Sequence, residues 1–140
     1  MAVVAPNAEG NGGFLTVELT GVAGTTGGAI AAVANPEGVT CQILRSFFDV
    51  ITPSTGVAAI SVGVAADATT SSTDMVNALT VNGVTALTVY AGSMGGDATK
   101  DSLVAAPAPW TSDKYVTVTG SATTAGFTGR LFIEYIRIAA

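Results

Sequence analysis

Histidine is absent from this chain of 140 residues, and cysteine occurs once. The first absence removes the usual general base near neutral pH, the Ser-His and Cys-His nucleophile pairs, and most zinc sites. The second rules out an intrachain disulfide and any Cys-x-x-Cys motif. Cys41 sits in the apolar run Val39-Thr-Cys-Gln-Ile-Leu44, where a buried, inert thiol is expected. The dinucleotide fingerprint Gly-x-Gly-x-x-Gly and the phosphate loop are missing as well. Gly24-Thr-Thr-Gly-Gly28 has glycines but no lysine and no helix pattern after it, so it reads as a connector.

Charge is equally scarce. Charged residues make up 11% of the chain, against about 25% in an average soluble domain. The basic residues are Arg45, Lys100, Lys114, Arg130 and Arg137, scattered along a chain of net charge −5. A nucleic-acid groove needs clustered Lys and Arg to displace counterions from phosphates, so no nucleic-acid partner is expected. No apolar run approaches the roughly 20 residues of a membrane helix. The first residues, Met1 to Glu9, lack the cationic and long apolar regions of a secretory signal. The expectation is a protein assembled in a cytoplasm, with no membrane partner.

What the chain does have is a 49% hydrophobic fraction dominated by Ala and Val, with Thr, Ser and Gly in place of charge. Its length suits one domain, which buries roughly 68% of the surface its unfolded form exposes. A surface so poor in charge repels neighbours weakly, which suits packing against copies of itself or a larger assembly.

Periodicity points to strands throughout. Phe14 to Thr20 alternates, with Leu15, Val17 and Leu19 on one face and Thr16, Glu18 and Thr20 on the other. Ala29 to Ala34 is a short strand ended by the turn Asn35-Pro-Glu-Gly38. Val39 to Ile51 is apolar on both faces, which means either cover on both sides or a bulge. Thr52-Pro-Ser-Thr-Gly56 turns the chain into Val57 to Ala66, where Ile60, Val62 and Val64 point inward. These two runs are expected to pair as a central antiparallel ribbon. Ser71-Ser-Thr-Asp74 before Met75 to Leu79 resembles a capped helix start. Asn82-Gly83 predicts a hairpin turn into a strand over Val84 to Tyr90. Gly92 to Pro109 reads as a long surface loop, with room for a short strand at Leu103 to Ala105. Tyr115 to Thr119 and Phe127 to Ile138 are the last strands. In the latter, Leu131, Ile133 and Tyr135 share one face and Phe132, Ile136 and Ile138 the other.

The expected fold is therefore all-β: an antiparallel β-sandwich or jelly roll of about seven to eight strands with one short helix near 72–79. Residues 1–13 read as a flexible arm and 14–140 as a single β domain. Candidate core or oligomer contacts are Phe47, Phe48, Trp110, Phe132, Tyr135, Ile136 and Ile138, with Trp110 covering one end of the core. Asp97 and Asp101, beside Gly95-Gly96, are a weak Ca²⁺ candidate without any repeated acidic pattern, and a solvated loop is the simpler reading. No catalytic, cofactor or metal residue is assigned, and an enzyme is not expected. Only a carboxylate mechanism stays formally open.

Asn35-Pro-Glu-Gly-Val39, Ile43-Leu-Arg-Ser-Phe-Phe-Asp49, Ile60-Ser-Val-Gly-Val-Ala65 and Thr124-Ala-Gly-Phe-Thr-Gly-Arg-Leu-Phe-Ile-Glu-Tyr-Ile136 together resemble segments of the decoration, or cement, proteins of tailed-bacteriophage capsids. The resemblance is one of pattern and composition over residues 30–66 and 110–138. It implies a β-rich virion protein that forms trimers or other small oligomers. Such a protein sits on the outer capsid and bridges subunits of the major capsid protein, without catalytic residues. A head fibre, neck or tail component is the alternative within a virion. A carbohydrate-binding or adhesin module, reading glycans through Trp110 or Tyr90, is the alternative outside it.

Overall fold

The computed structural model describes residues 12–83, 88–92 and 108–138. Within them run eight strands: β1 (Gly12–Thr20), β2 (Ala31–Ala34), β3 (Cys41–Thr52), β4 (Ala59–Ala65), β5 (Val76–Thr80), β6 (Thr88–Gly92), β7 (Tyr115–Gly120) and β8 (Thr128–Arg137). They form two four-stranded antiparallel sheets, β1-β8-β3-β6 and β2-β7-β4-β5. The pairs β1-β8, β2-β7, β3-β6 and β4-β5 are nested, so the chain is one long antiparallel ribbon with its tip between β4 and β5. The ribbon is rolled until β8 also meets β3 and β7 also meets β4. That is the strand order of an eight-stranded jelly roll, one of the two architectures the sequence pattern predicts.

The roll overturns two local pairings expected from sequence. β3 and β4 are not hydrogen-bonded neighbours; they lie in different sheets and contribute to the core from opposite sides. Likewise Asn82-Gly83 does not close a hairpin, because β5 belongs to one sheet and β6 to the other. Gly83 does take the left-handed conformation such a turn uses (φ 70°). Asn82, however, makes a parallel bridge to Ser54, donating from Nδ2 to its carbonyl at 3.2 Å.

The helix expected near 72–79 does not form. Val76–Thr80 is β5, paired with β4, and the residues before it are irregular. The Ser-and-Asp signature serves a different end. Asp74 Oδ1 accepts from the Val64 amide at 2.8 Å and from Ser72 Oγ at 3.0 Å, while Oδ2 accepts from the Ala108 amide at 2.9 Å. A carboxylate bonded within its own loop, to β4 and to the segment at Ala108 ties that loop to β4, and Met75, Val76 and Leu79 are buried by tertiary packing. Tertiary contacts override a weak local cap signal here.

Alternation along the strands builds the core. Leu15, Val17 and Leu19 of β1 face inward as expected, as do Leu131, Ile133 and Tyr135 of β8 and Ile60, Val62 and Val64 of β4. β3 resolves its two-faced pattern through a bulge between Ile43 and Arg45. Cys41 and Ile43 are buried before it, and Ser46, Phe48 and Val50 after it. One extra residue, Leu44, shifts the inward parity by one. Each fully buried Leu, Ile, Val or Phe side chain contributes about 1.5–3 kcal/mol relative to exposure.

The N-terminal boundary also moves. Gly12 and Gly13, read as part of a flexible arm, are the first residues of β1, paired with Ile136 and Tyr135. Gly13 leaves room for the Tyr135 ring: a Cβ there would lie 2.2 Å from Tyr135 Cζ and Oη. Residues 1–11 lie outside the described residues.

Candidate functional site

The outward faces of the two sheets differ in kind. On the β2-β7-β4-β5 sheet many outward side chains are small or hydroxylated, and loops reach over two of them, Thr117 and Thr119. The Gly28 amide donates to Thr119 Oγ1 at 3.1 Å, and Thr117 Oγ1 donates to the Thr70 carbonyl at 2.9 Å. Thr117 and Thr119 are consequently buried although they point away from the core. An open depression of ≈ 380 Å³ remains there, lined by Thr25, Ser61, Ser71, Thr119, Gly120 and Ser121. Three of its hydroxyls are engaged in the fold: Ser61 Oγ accepts from the Ala78 amide, Ser121 Oγ from the Ala59 amide and Thr119 Oγ1 from the Gly28 amide. With no acid, base or aromatic ring in its lining, it offers neither proton transfer nor stacking.

The β1-β8-β3-β6 sheet presents the opposite surface. Its register sets outward side chains in rows: Phe14, Glu134 and Arg45; then Thr16, Phe132 and Phe47; then Glu18, Arg130 and Asp49. Phe14, 58% exposed, stacks on Phe132 with centroids 5.9 Å apart and planes at 29°. Arg130 lies over the Phe132 ring at 5.5 Å, and Arg45 over the Phe47 ring at 5.3 Å. Each arginine is held by a carboxylate in its own row: Arg45 Nε donates to Glu134 at 2.6 Å, and Arg130 Nη2 to Asp49 at 2.6 Å. The result is a strip of three phenyl rings bordered on two sides by ion pairs. The face thus has an apolar centre inside a polar rim that contains two arginines.

A third cluster closes one end of the sandwich. Tyr135 Oη donates to Glu37 Oε1 at 2.6 Å, and Arg137 Nη1 donates to Glu37 Oε2 at 2.6 Å. Asn35 Nδ2 donates to the carbonyls of Val39 and Trp110, and Trp110 packs edge-on against Tyr135. The hydrogen bonds from Tyr135 and Arg137 hold the Glu37 carboxyl below its ordinary pKa. Burial, with the bond to Glu37, pushes the Tyr135 phenol up to about 12. Burial likewise raises the Cys41 thiol. Each shift moves its group away from reactivity: the phenol stays a neutral donor, the carboxylate an ionised acceptor, and the thiol protonated. This cluster is a clamp.

The residues singled out from sequence divide between these settings. Phe48, Trp110 and Tyr135 are core. Phe47, Phe132 and Ile136 are partly exposed on the open face, and Ile138, 53% exposed, lies just past β8. Trp110 is 0% exposed, with Nε1 donating to the Lys114 carbonyl at 3.1 Å, so it covers the core and presents no ring to a sugar. Tyr90 pairs in register with Phe48. Asp97, Asp101 and the short strand expected at Leu103 to Ala105 lie outside the described residues. Among the described residues no group of three His, Cys, Asp or Glu could hold a metal ion, and no helix is long and apolar enough to cross a membrane. Phe14, Arg45 and Arg130 were not singled out from sequence as part of the open face. The available signal was Phe14 itself, which shares the polar side of its strand with Thr16 and Glu18. No family model, curated protein or solved structure matches the chain.

Proposed function

We propose that this protein is a structural component of a bacteriophage virion, a decoration protein that docks on the outer capsid as a small homo-oligomer and bridges subunits of the major capsid protein. The observation that carries the reading is the open aromatic face, with Phe132 in its middle and Phe14, more than half exposed, at its β1 edge. A phenyl strip of this kind is costly to leave in water and marks a surface made to be covered. Two further facts support it: the resemblance of the strand segments to capsid decoration proteins, and a jelly-roll order that viral capsid domains use. Fold alone assigns no function. Lectins use the same roll, but the tryptophan a glycan would stack on is enclosed here.

Purified protein mixed with undecorated phage capsids is the test. Saturable binding, with a gain in the heat resistance of the shell, is expected. The double variant Phe14→Ser, Phe47→Ser should fold normally, since neither ring belongs to the core, and bind at least about tenfold more weakly through loss of apolar contact. Absence of saturable binding by the native chain, or undiminished binding by the variant, would refute the assignment.

A further inference from the structure

A β-sheet ends in strands whose outer N–H and C=O groups can template another chain, and proteins ordinarily blunt such edges. Three of the four edges here are blunted. β2 has four residues, and β6 has five. β5 also has five, broken by a register shift opposite Ile60 and Val62 and by Ala78 in the left-handed conformation (φ 55°).

β1 is built differently. It runs nine residues in unbroken register with β8, without proline or lysine, and carries Glu18 as its single charge. The ladder's parity is set by the Gly21 amide donating to the Phe127 carbonyl at 2.7 Å. Odd residues of β1 therefore bond toward β8. Even ones, Phe14, Thr16, Glu18 and Thr20, direct their backbone groups away from it. Among the described residues no strand lies on that side.

We propose that β1 is an assembly edge on which a second copy of the chain adds its own β1, antiparallel, across a two-fold axis at Thr16. That register pairs all nine residues of both strands. On the inward side it sets Leu19 against the partner's Gly13 and Leu15 against the partner's Val17, large against small at the outer pair. On the outward side Thr16 meets its own symmetry mate and Glu18 faces the partner's Phe14, so no like charges oppose. Sliding the axis to Glu18 would set two carboxylates face to face. Pairing there makes one eight-stranded sheet and fuses the two phenyl strips into a single surface. The inference does not depend on the virion reading, and it replaces the trimer implied by the resemblance with a two-fold pair.

Sedimentation of the full chain over a concentration series reads the assembly directly. The native chain is expected at twice its 13.8 kDa mass. Thr16→Pro removes an N–H that points only outward, and edge positions of that kind tolerate proline. It should sediment at the single-chain mass with an unchanged circular dichroism spectrum, its association weakened at least about tenfold by loss of the symmetric bonds. Thr16→Cys supplies an independent measurement, and it decides the matter if the proline variant unfolds. Facing Cα atoms in such a pair lie about 5.5 Å apart, within disulfide reach, so mild oxidation should link two chains. Thr20→Cys, roughly 25 Å from its mate in this register, should not link. A native chain that stays single or forms a trimer, a Thr16→Pro chain that still pairs, or equal cross-linking at both cysteines would overturn the proposal.

Discussion

Replacing Gly13 by alanine tests the N-terminal edge of the domain through the sign of a stability change. In an ordinary strand alanine is favoured over glycine by about 0.5–1 kcal/mol, because glycine loses more backbone freedom on folding, whereas in an arm that stays unordered the exchange is neutral. At this position the new Cβ would meet Tyr135 Cζ and Oη at 2.2 Å and Cε2 at 2.7 Å. The ring cannot swing aside freely. It is 3% exposed, bonded to Glu37 and braced edge-on by Trp110. Overpacking of this type costs about 1–3 kcal/mol. Set against the backbone gain, the net expectation is a loss centred on about 1 kcal/mol, between about 0 and 2.5 kcal/mol. The same substitution in a Tyr135→Leu background meets no ring and should recover the ordinary gain. The two together predict a coupling of about 1–3 kcal/mol in a double-mutant cycle. Urea unfolding followed by the fluorescence of Trp110, the one tryptophan, measures all four chains at a fixed protein concentration. A Gly13→Ala chain more stable than the native one, or a double-mutant cycle without coupling, would refute the packing of Tyr135 on Gly13.

The clamp predicts a two-sided pH profile. Glu37 has a folded pKa lowered from 4.5, so its stabilisation is present above that value and is lost as pH falls toward the folded pKa. Tyr135 is raised from 10.0 to about 12, so its contribution is present below 10.0 and is lost as pH climbs to about 12. Urea midpoints measured across pH should decline at both ends, and Tyr135→Phe should flatten the alkaline decline; an unchanged alkaline limb would argue against the clamp. Cys41, fully buried with its thiol pKa raised, should react with a disulfide reagent only when the domain opens. Rapid labelling of the native protein at pH 8 would show that the end of the sandwich is not closed.

Much of the fold could be read from side-chain alternation, because a strand's period of two is local. β1, β4, β7 and β8 show it plainly, and in β3 the loss of clean alternation leaves cover on both sides or a bulge open, of which the structure places a bulge at Leu44. What was not legible depends on contacts between distant residues. Asp74 looks like a helix-start acid until Val64 and Ala108 are brought to it. Gly12 and Gly13 look like free chain until β8 pairs with them and the Tyr135 ring packs on Gly13. Phe47, Phe132 and Ile136 were legible as apolar residues opposite a core face. The phenyl strip was not, because it requires Phe14, Phe132 and Phe47 to be aligned by the β1-β8-β3 register, and Arg45 and Arg130 acquire their partners in the same way.

The nested ribbon has a consequence for how the molecule is made. β8 is the strand on which both β1 and β3 depend in their sheet, yet it is translated after all the others. At 5–20 residues per second, β1 has left the ribosome roughly 5–20 s before β8 exists to pair with it. For that interval the tip, β4 with β5, is the only ribbon pair whose strands are close in sequence, and long-range pairing of the β1-β8 kind closes slowly. The low charge and the unguarded edge of β1, which suit the proposed pairing of two folded chains, are therefore hazards during synthesis. Ribosome-bound chains halted before β8 should be the species that aggregate or recruit chaperones, and release of the last strand should be the event that ends the danger.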